Sequence, residues 1–326
     1  MVERALLIVN RSSGTGCSPE LPAALLRELS DAGVRELELA LVEDHPSARL
    51  AACSFLATSD RPAAVIVAGG GGSLRAAVEG VADAAGGDLA EGGQVVLGGL
   101  RMGSGNVVAR RLGVPRDPLD GIRALAASLR SGRTAPCTVI RCRFGTASGS
   151  TDVRHAVTMC GLGQWGRCSG DLARWHARLP RGRDALARVA GLERANHLEY
   201  VTAAGLRLLA ASVSPRTCER VELSAGGISE RFRLLAGAVM NLRIAGFPFD
   251  PQVTAGGPAA GGLVIPCGGR PRRLRIERGD AVRIRLLDRE STEFFLDEDP
   301  ETVHRELTLD VAGSLPFLIG SLEVAA

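Results

Sequence analysis

Two glycine-rich turns in the first third of the chain have the composition of phosphate-binding loops. The first is Gly69–Ser73 and the second is Gly103–Asn106; each follows an apolar run and precedes a segment with helical spacing. Glycine lets a ligand approach bare backbone N–H groups, and a helix start adds unpaired N–H groups with a partial positive charge. Two such strand–turn–helix cycles predict one site for a nucleotide polyphosphate. The alternative is that the glycines only make tight connections.

An acidic run near the C-terminal end is the second candidate for chemistry. It comprises Asp297, Glu298 and Asp299, with Asp288 upstream. A carboxylate within hydrogen-bonding reach of a hydroxyl group is the usual geometry of a general base, and carboxylate oxygens suit Mg²⁺. Taken alone, such a run is more often a solvated turn.

Composition excludes several classes of protein. The 326 residues include 45% hydrophobic and 23% charged residues, as in an ordinary globular protein, and allow two domains. The net charge of +3 and the aromatic content of 3% argue against a nucleic-acid partner. All 39 basic residues are arginines, which excludes a P-loop lysine and a Schiff-base lysine.

Cysteine spacing and hydropathy set the expected location. The eight cysteines form no C-x-x-C pair, so a zinc site is not expected and the thiols should be reduced. Neither a secretory signal nor an apolar run of membrane-spanning length is visible. The expectation is a cytoplasmic protein, with peripheral contact at the inner face of a membrane as a variant.

The first part of the chain alternates strands and helices, which predicts a doubly wound parallel sheet over residues 1–132. The predicted strands are Ala5–Val9, Glu36–Val42, Ala64–Ala68 and Val95–Leu97. The predicted helices are Pro22–Ala32, a helix capped by Ser47 that ends near Thr58, Leu74–Ala84, Val107–Leu112 and Asp117–Leu129. The fold class is therefore α/β in this part.

The second part, residues 133–312, has mostly strand patterns and predicts a mostly antiparallel β-sandwich or barrel domain with one or two helices. A last strand, Leu315–Ile319, suggests that residues 313–326 return to the first domain. The predicted strands are Thr138–Phe144, Arg154–Cys160, Val221–Ser224, Glu230–Leu235, Leu263–Ile265, Ala281–Leu287, Glu293–Leu296 and Glu306–Val311; the predicted helices are Leu198–Ala211 and part of Gly170–Asn196.

Two arginine-rich segments could contact an anionic membrane, although charge runs are usually just solvated faces. The first segment also carries Trp165 and Trp175. Its arginines are Arg167, Arg174, Arg178, Arg181, Arg183 and Arg188; those of the second are Arg270, Arg272, Arg273, Arg275 and Arg278.

An ordered set of motifs resembles the catalytic domain of the diacylglycerol kinase family, which includes bacterial lipid kinases and sphingosine kinases. Asn10–Gly14 resembles the family's Asn-Pro-x-Ser-Gly, and Gly69–Ser73 its Gly-Gly-Asp-Gly-Thr. Arg101–Arg110 is similar to Pro-Leu-Gly-Thr-Gly-Asn-Asp-Phe-Ala-Arg. Later matches are Leu112–Pro115, Met159–Gly163, Val239–Asn241 with Gly246, and Phe295–Asp299.

The resemblance implies ATP and Mg²⁺ as cofactors and a lipid hydroxyl as the phosphate acceptor. By family position Asp297 would accept the proton of that hydroxyl group, and Asp299 would stand near magnesium with Glu298. The residues expected to bind the nucleotide are Asn10, Ser12, Gly14, Gly69, Gly70, Gly71, Gly72, Ser73, Gly103, Ser104, Gly105 and Asn106. The second domain would then bind the acceptor lipid.

The sequence departs from the family at its acidic positions. The signature Asp is Gly71, the Asp after the second-turn Asn is Val107, and no acid stands near Gly261 where the family has an Asp-Gly turn. Because phosphoryl transfer needs charge neutralisation and a positioned nucleophile, two hypotheses stay open. One is an ATP-dependent lipid kinase acting on a diacylglycerol- or sphingoid-type lipid. The other is a degenerate relative that binds nucleotide or lipid without transfer. A homodimer is also left open.

Overall fold

A computed structural model of the chain describes residues 2–13, 18–89, 94–103, 106–178, 196–242, 259–297 and 299–320. The chain forms two compact units. Unit 1 is Met1–Val139 together with the chain from Ala312 onward, and unit 2 is Ile140–Val311.

Unit 1 is built on a parallel sheet with the order β4-β3-β1-β2. Its strands are β1 (Arg4–Asn10), β2 (Glu36–Val42), β3 (Ala63–Gly69) and β4 (Val95–Arg101). Its helices are α1 (Leu21–Asp31), α2 (His45–Ala57), α3 (Gly71–Ala84), α4 (Val107–Arg111) and α5 (Pro118–Ser131). The predicted alternation of strands and helices is confirmed here.

The start of α2 differs from the prediction. Asp44, not Ser47, is the N-cap: its carboxylate accepts a hydrogen bond from the backbone N–H of Ser47 at 2.8 Å. Ser47 is the third helical residue, and its hydroxyl group donates back to Asp44. Both residue types favour the cap position, so composition alone did not separate them.

Unit 2 is mostly antiparallel. Its strands are β5 (Thr134–Gly145), β6 (Thr151–Ala156), β7 (Met159–Leu162), β8 (Glu219–Ala225), β9 (Ile228–Met240), β10 (Ala259–Pro266), β11 (Arg272–Glu277), β12 (Ala281–Leu286), β13 (Ser291–Leu296) and β14 (Asp299–Leu318). Its helices are α6 (Gly163–Gly166), α7 (Cys168–Arg178) and α8 (Asn196–Val213), followed by a 3₁₀ turn, Pro215–Thr217. The first residues of β5 and the last of β14 belong to unit 1.

The strands of unit 2 form one continuous hydrogen-bonded sheet, whereas the sandwich alternative of the prediction would have two separate sheets. Ile140 of β5 and Ile276 of β11 nevertheless belong to the same buried core, although their strands are far apart in the strand order. The sheet therefore curves around a single core. This shape follows from long strands such as β9, which pairs with β7, β8 and β10 along its length.

The strands observed after residue 150 differ from the prediction at three places. The predicted strand Arg154–Cys160 is two strands, β6 and β7, because Val157 and Thr158 form a corner. The predicted strands Glu306–Val311 and Leu315–Ile319 are parts of one strand, β14. The second arginine-rich segment contains β11, which the sequence did not predict; Leu274 and Ile276 alternate with the arginines.

Several residues of the first arginine-rich segment serve internal contacts. Arg167 binds Glu219 and also donates to the hydroxyl group of Thr292 at 3.2 Å. Trp165 packs against a small core that includes Ala238 and Met240. Residues 181, 183 and 188 lie outside the described residues.

Helices α7 and α8 are joined by an ion pair. Arg207 of α8 donates two hydrogen bonds to Asp171 of α7, at 2.5 and 2.6 Å, and Arg174 donates a third at 2.8 Å. The hydrogen bonds from Arg207 are the main cause that lowers the pKa of the Asp171 carboxyl group. Burial is the main cause that raises the pKa of the nearby Cys168 thiol to about 11.

Within the described residues, no helix is both long and apolar enough to span a lipid bilayer.

Candidate functional site

The carboxyl ends of three neighbouring parallel strands lie at one edge of the unit 1 sheet. Val9 of β1 pairs with Ala68 of β3, and Gly69 at the end of β3 pairs with Arg101 at the end of β4. The chain leaves each strand at this edge through a turn from the predicted nucleotide set. Ligands of open parallel sheets bind at this edge, so its residues are the first candidate site.

The two glycine turns touch each other through their backbones. A Cβ atom added to Gly103 would lie 2.2 Å from the Cα atom of Gly70, and one added to Gly70 would lie 3.3 Å from the Cα atom of Gly103. No side chain fits at such a distance from a neighbouring backbone. Glycine at Gly103 therefore has a packing role, which the sequence-based interpretation did not separate from ligand binding.

Asn10 joins the end of β1 to the first turn of α3. Its amide Nδ2 donates to the hydroxyl oxygen of Ser73 at 2.7 Å, and its Oδ1 accepts the backbone N–H of Ser12 at 2.9 Å. Gly69 makes room for this contact, because a Cβ atom there would lie 2.8 Å from the Ser73 hydroxyl oxygen. The hydrogen bonds of Asn10 therefore fix the shape of the edge.

The first turn of α3 presents the open donors. The helix begins after Gly70, which has no side chain to cap it, and the first helical hydrogen bond runs from the N–H of Leu74 to the carbonyl of Gly70 at 3.1 Å. The N–H groups of Gly71, Gly72 and Ser73 have no acceptor among the residues that the structure describes. Because α3 has 14 residues, these groups lie at the positive end of a full helix dipole.

The second turn is built differently from the first. Asn106 is in the left-handed conformation, with φ of +50°, and its side-chain amide pairs with Gly103. Its Oδ1 accepts the N–H of Gly103 at 2.8 Å, and its Nδ2 donates to the carbonyl of Gly103. The helix that follows, α4, has only five residues. The side chain of Asn106 thus closes its own turn, and the N–H of Gly103 already has an acceptor.

Four of the predicted site residues lie outside the described residues. They are Gly14, Ser104, Gly105 and Glu298. Ser12 is described and exposed at the start of the loop after β1.

Asp297 holds a buried corner of unit 2. Its Oδ1 accepts the N–H and the hydroxyl of Thr158, at 2.7 and 2.6 Å, and the N–H of Met159 at 3.0 Å. Its Oδ2 accepts the N–H of Val157 at 2.6 Å. Each carboxylate oxygen has about two acceptor positions; Oδ1 accepts three hydrogen bonds and Oδ2 only one, so one position on Oδ2 remains.

The backbone around Asp297 explains how it reaches the corner. Leu296 of β13 pairs with Asp299 of β14, so Asp297 is the first residue of a two-residue hairpin loop. Its φ of +56° matches the left-handed conformation that such loops favour. Asn241 strengthens the corner, because its Nδ2 donates to the carbonyl of Val157 and its backbone N–H donates to the carbonyl of Thr158. The role of Thr158 was not visible in the sequence.

The described residues do not supply the donor set of a magnesium site. Gly71 begins α3, Val107 begins α4 and Gly261 lies within β10, so none of these family positions offers an oxygen ligand from a side chain. The expected Asp-Gly turn near Gly261 is thus a buried strand. No group of three His, Cys, Asp or Glu side chains in the described part of the chain is arranged to hold a metal ion. Asp299, one of the predicted ligands, is the first residue of β14.

Comparison with known proteins finds a match to a family model over part of the chain and a fold shared with solved structures. Residues 4–142 match the family model for the diacylglycerol kinase catalytic domain. No curated protein matches the sequence. A solved diacylglycerol kinase from Bacillus anthracis str. Sterne is similar over 99% of this chain and 98% of its own, with a TM-score of 0.61 and 14% identity.

Two candidate diacylglycerol kinases from the same organism are also similar. One has a TM-score of 0.67 and 16% identity, over 99% of this chain and 97% of its own. The other has a TM-score of 0.62 and 17% identity, over 97% of this chain and 98% of its own. At these identities the structures share the fold, while the family match covers the part of the chain that carries both glycine turns.

Proposed function

Residues 4–142 match the diacylglycerol kinase catalytic domain, and on that premise we propose that the chain transfers a phosphoryl group from ATP to a hydroxyl group of a lipid. The observation that carries the proposal is the open first turn of α3. Three backbone N–H groups, those of Gly71, Gly72 and Ser73, stand at the positive end of a 14-residue helix. Such a group of donors binds phosphate oxygens through hydrogen bonds and the helix dipole.

The polyphosphate of ATP is the ligand that this turn fits. Among the residues that the structure describes, nothing lies within 4 Å of the position that a Cβ atom at Gly71 would take. The bond between Asn10 and Ser73 turns the Ser73 hydroxyl group toward β1 and leaves its N–H at the turn. The backbone therefore supplies the binding groups, which explains how phosphate binding persists where the family acids are missing.

Asp297 is proposed as the group that receives the proton of the acceptor hydroxyl. Four donors hold its carboxylate in one orientation and leave one acceptor position on Oδ2. A base that is fixed before the substrate binds does not lose rotational freedom during the reaction. This role is taken from the family position of Asp297.

The described side chains do not form a magnesium site, so they hold no metal ion that takes part in the proposed reaction. Whatever magnesium enters the reaction would be bound mainly through the phosphate oxygens of ATP, as Mg²⁺ commonly is. Glu298 and Asp299, which directly follow Asp297 in the sequence, remain the acids proposed to lie near that magnesium.

One observation favours the second candidate function, which is nucleotide or lipid binding without transfer. Asp297 is buried and already satisfied by three backbone N–H groups and one hydroxyl group, as a purely structural aspartate would be. In that case the open turn of α3 still binds ATP but no phosphoryl group moves.

Transfer of label from γ-labelled ATP to a lipid extract tests the proposal directly. We expect a labelled lipid whose mass increases by one phosphate, identified by mass spectrometry, because the turn holds ATP and Asp297 accepts the proton. ATP binding without any labelled lipid would favour the second candidate. Absence of ATP binding would contradict both.

Gly71→Asp provides a sharper version of this test. The open space at Gly71 accommodates the side chain, and the new carboxylate restores an oxygen ligand at the family's signature position. We expect label transfer with Mg²⁺ to rise at least about tenfold, since even residues that only orient the ligands of a metal ion change metal affinity or activity by about 10- to 100-fold. Affinity for ATP with chelator should fall, because the carboxylate repels phosphate.

Gly71→Asn is the matched control, since it has the same shape without the charge. Gly71→Asn should neither raise label transfer with Mg²⁺ nor lower the affinity for ATP with chelator. If the two variants transfer label equally, the restored acid has no role in the reaction.

A further inference from the structure

The segments that leave the carboxyl edge of the unit 1 sheet carry arginine and no acid. They begin at the last residues of β1, β3 and β4, and their sequences are Asn10–Ser18, Gly69–Ser73 and Arg101–Asn106. Their charged residues are Arg11 and Arg101. Arg101 stands where the family motif has proline, and Gly71 stands where it has aspartate. Both departures make this edge more positive than the family motif does.

Arg101 lies on the face of the sheet that α3 covers. Successive side chains of a strand point to opposite faces. Leu100 points toward α5, since its Cδ2 atom lies 3.0 Å from the position that a Cβ atom at Gly121 would take. Gly99 faces α3, because a Cβ atom there would lie 3.5 Å from Cδ2 of Leu74. Arg101 follows Gly99 by two residues and therefore leaves the sheet on the side of α3.

The strand register puts Arg101 beside the open turn of α3. Arg101 pairs with Gly69, the last residue of β3, and neighbouring strands lie about 4.8 Å apart. Gly69 is two residues before Gly71, where α3 begins. Asn10 is on the same face, since it donates to the hydroxyl group of Ser73 in that turn. The partly exposed side chain of Arg101 thus starts next to the proposed phosphate donors.

A guanidinium group at this place suits an ATP molecule that carries no metal ion. Arginine is always charged and presents its donors in a planar fork that matches two phosphate oxygens. A site that holds Mg²⁺ through its own carboxylates favours the magnesium complex of ATP, but the described side chains form no such site. Metal-free ATP has more negative charge than that complex, so a cation attracts it more strongly.

We propose that Arg101 binds the polyphosphate of ATP directly, and that the chain therefore binds metal-free ATP at least as tightly as MgATP. The inference rests on the proposed function, because it concerns the same turn of α3, and it adds a binding residue and the form of the ligand. The backbone of Arg11 is hydrogen-bonded to Val42 of β2, on the far side of β1 from β3. The role is therefore assigned to Arg101 alone.

Calorimetric titration of the full chain with ATP, once with chelator and once with Mg²⁺, tests the proposal. We expect the wild type to bind ATP with chelator at least as tightly as with Mg²⁺. Arg101→Gln should lower the affinity at least about tenfold with chelator, because a charge-assisted hydrogen bond is lost. With Mg²⁺ the loss should be no more than about threefold, since the metal ion already neutralises part of the phosphate charge. A residue that only held the fold would lower both affinities equally.

Arg27→Gln is the matched control, because it removes the same charge from a different place. Arg27 is exposed on α1, whose Leu25 shares a buried core with Leu100 on the opposite face of the sheet from Arg101. This variant should bind ATP as the wild type does in both solutions. Arg101→Lys keeps the charge without the fork and should recover part of the affinity with chelator. Unchanged circular dichroism spectra ensure that folded proteins are compared.

A wild type that binds MgATP more tightly than metal-free ATP would overturn the proposal. An Arg101→Gln variant with unchanged affinity in chelator would also overturn it, as would one that loses as much affinity with Mg²⁺ as without. Label transfer from γ-labelled ATP, measured on the same preparation, separates these results from the proposed function. A wild type that prefers MgATP and labels a lipid keeps the kinase function and loses this role of Arg101. A wild type that binds metal-free ATP through Arg101 but labels no lipid keeps the role and loses the kinase function.

Discussion

Gly103→Ala is expected to lower the free energy of unfolding by about 3 kcal/mol and to abolish ATP binding. The new methyl group would lie 2.2 Å from the Cα atom of Gly70. Both partners are backbone, so no side chain can rotate away and one of the two turns must move. Gly70 precedes the first turn of α3, and its displacement would misplace the N–H groups that bind phosphate. Urea denaturation and calorimetric titration with ATP measure the two effects.

Gly71→Ala is the control for this prediction. A Cβ atom at Gly71 meets nothing within 4 Å, so the variant should be as stable as the wild type or slightly more stable. Normal stability and normal ATP affinity of the Gly103→Ala protein would contradict the prediction, because they would mean that the two glycine turns can separate without consequence.

Asp297→Asn is expected to lower label transfer at least about 100-fold and the free energy of unfolding by about 2 kcal/mol. Asparagine keeps the left-handed backbone, so the hairpin loop itself is not disturbed. Its amide NH₂, however, replaces one carboxylate oxygen and meets backbone donors, Val157 or the pair Thr158 and Met159. The variant also has no carboxylate to receive a proton. Transfer is measured at a temperature where urea titration shows the variant to be folded.

Thr158→Val separates the two effects of Asp297→Asn. It removes one hydrogen bond to Oδ1 and keeps the carboxylate, so we expect a stability loss of about 1 kcal/mol and a change in transfer of no more than about threefold. If Asp297→Asn and Thr158→Val reduce transfer equally, Asp297 acts only by holding the corner. Full transfer by folded Asp297→Asn would exclude it as the base.

The strands β1 and β3 of unit 1 were predictable because they are buried along almost their whole length and are therefore short apolar runs, whereas β2 is mostly exposed and was recognised by its alternating pattern. Ala64–Ala68 is such a run, and the glycines that end it mark the following turn. The end of β3 followed from the same pattern, but the helix was predicted to begin at Leu74, whereas α3 begins at Gly71 and its first turn contains residues assigned to the glycine turn. The cap of α2 did not follow from the sequence pattern, since Asp44 and Ser47 are equally suited to it by type.

The corner at Val157 and Thr158 could not be predicted from local sequence. Arg154–Cys160 has a continuous strand pattern, but Asp297 binds its middle from 138 to 140 residues away in the chain. A contact so distant in sequence has no local signal. Asp297 was identified as a site residue through its family position, but its hydrogen-bond partners could not be identified from the sequence.

The arginine-rich segments show why charge alone is a weak guide. Arg272 stacks over the ring of Phe232, with its guanidinium carbon 5.3 Å from the ring centroid, and its neighbours alternate with buried residues in β11. Arg174 is bound to Asp171 and Glu293. Arg101, which belongs to neither segment, is instead the arginine that lies beside the candidate site.

The most direct test of the central claim is titration of the ¹⁵N-labelled protein with ATP, followed through the backbone amide resonances. We predict that the N–H signals of Gly71, Gly72 and Ser73 shift most, because these three groups donate to the phosphate oxygens. The signal of Gly103 should shift less, since its N–H is bound to Asn106. ATP binding that leaves the first turn of α3 unchanged and shifts amides elsewhere would contradict the account.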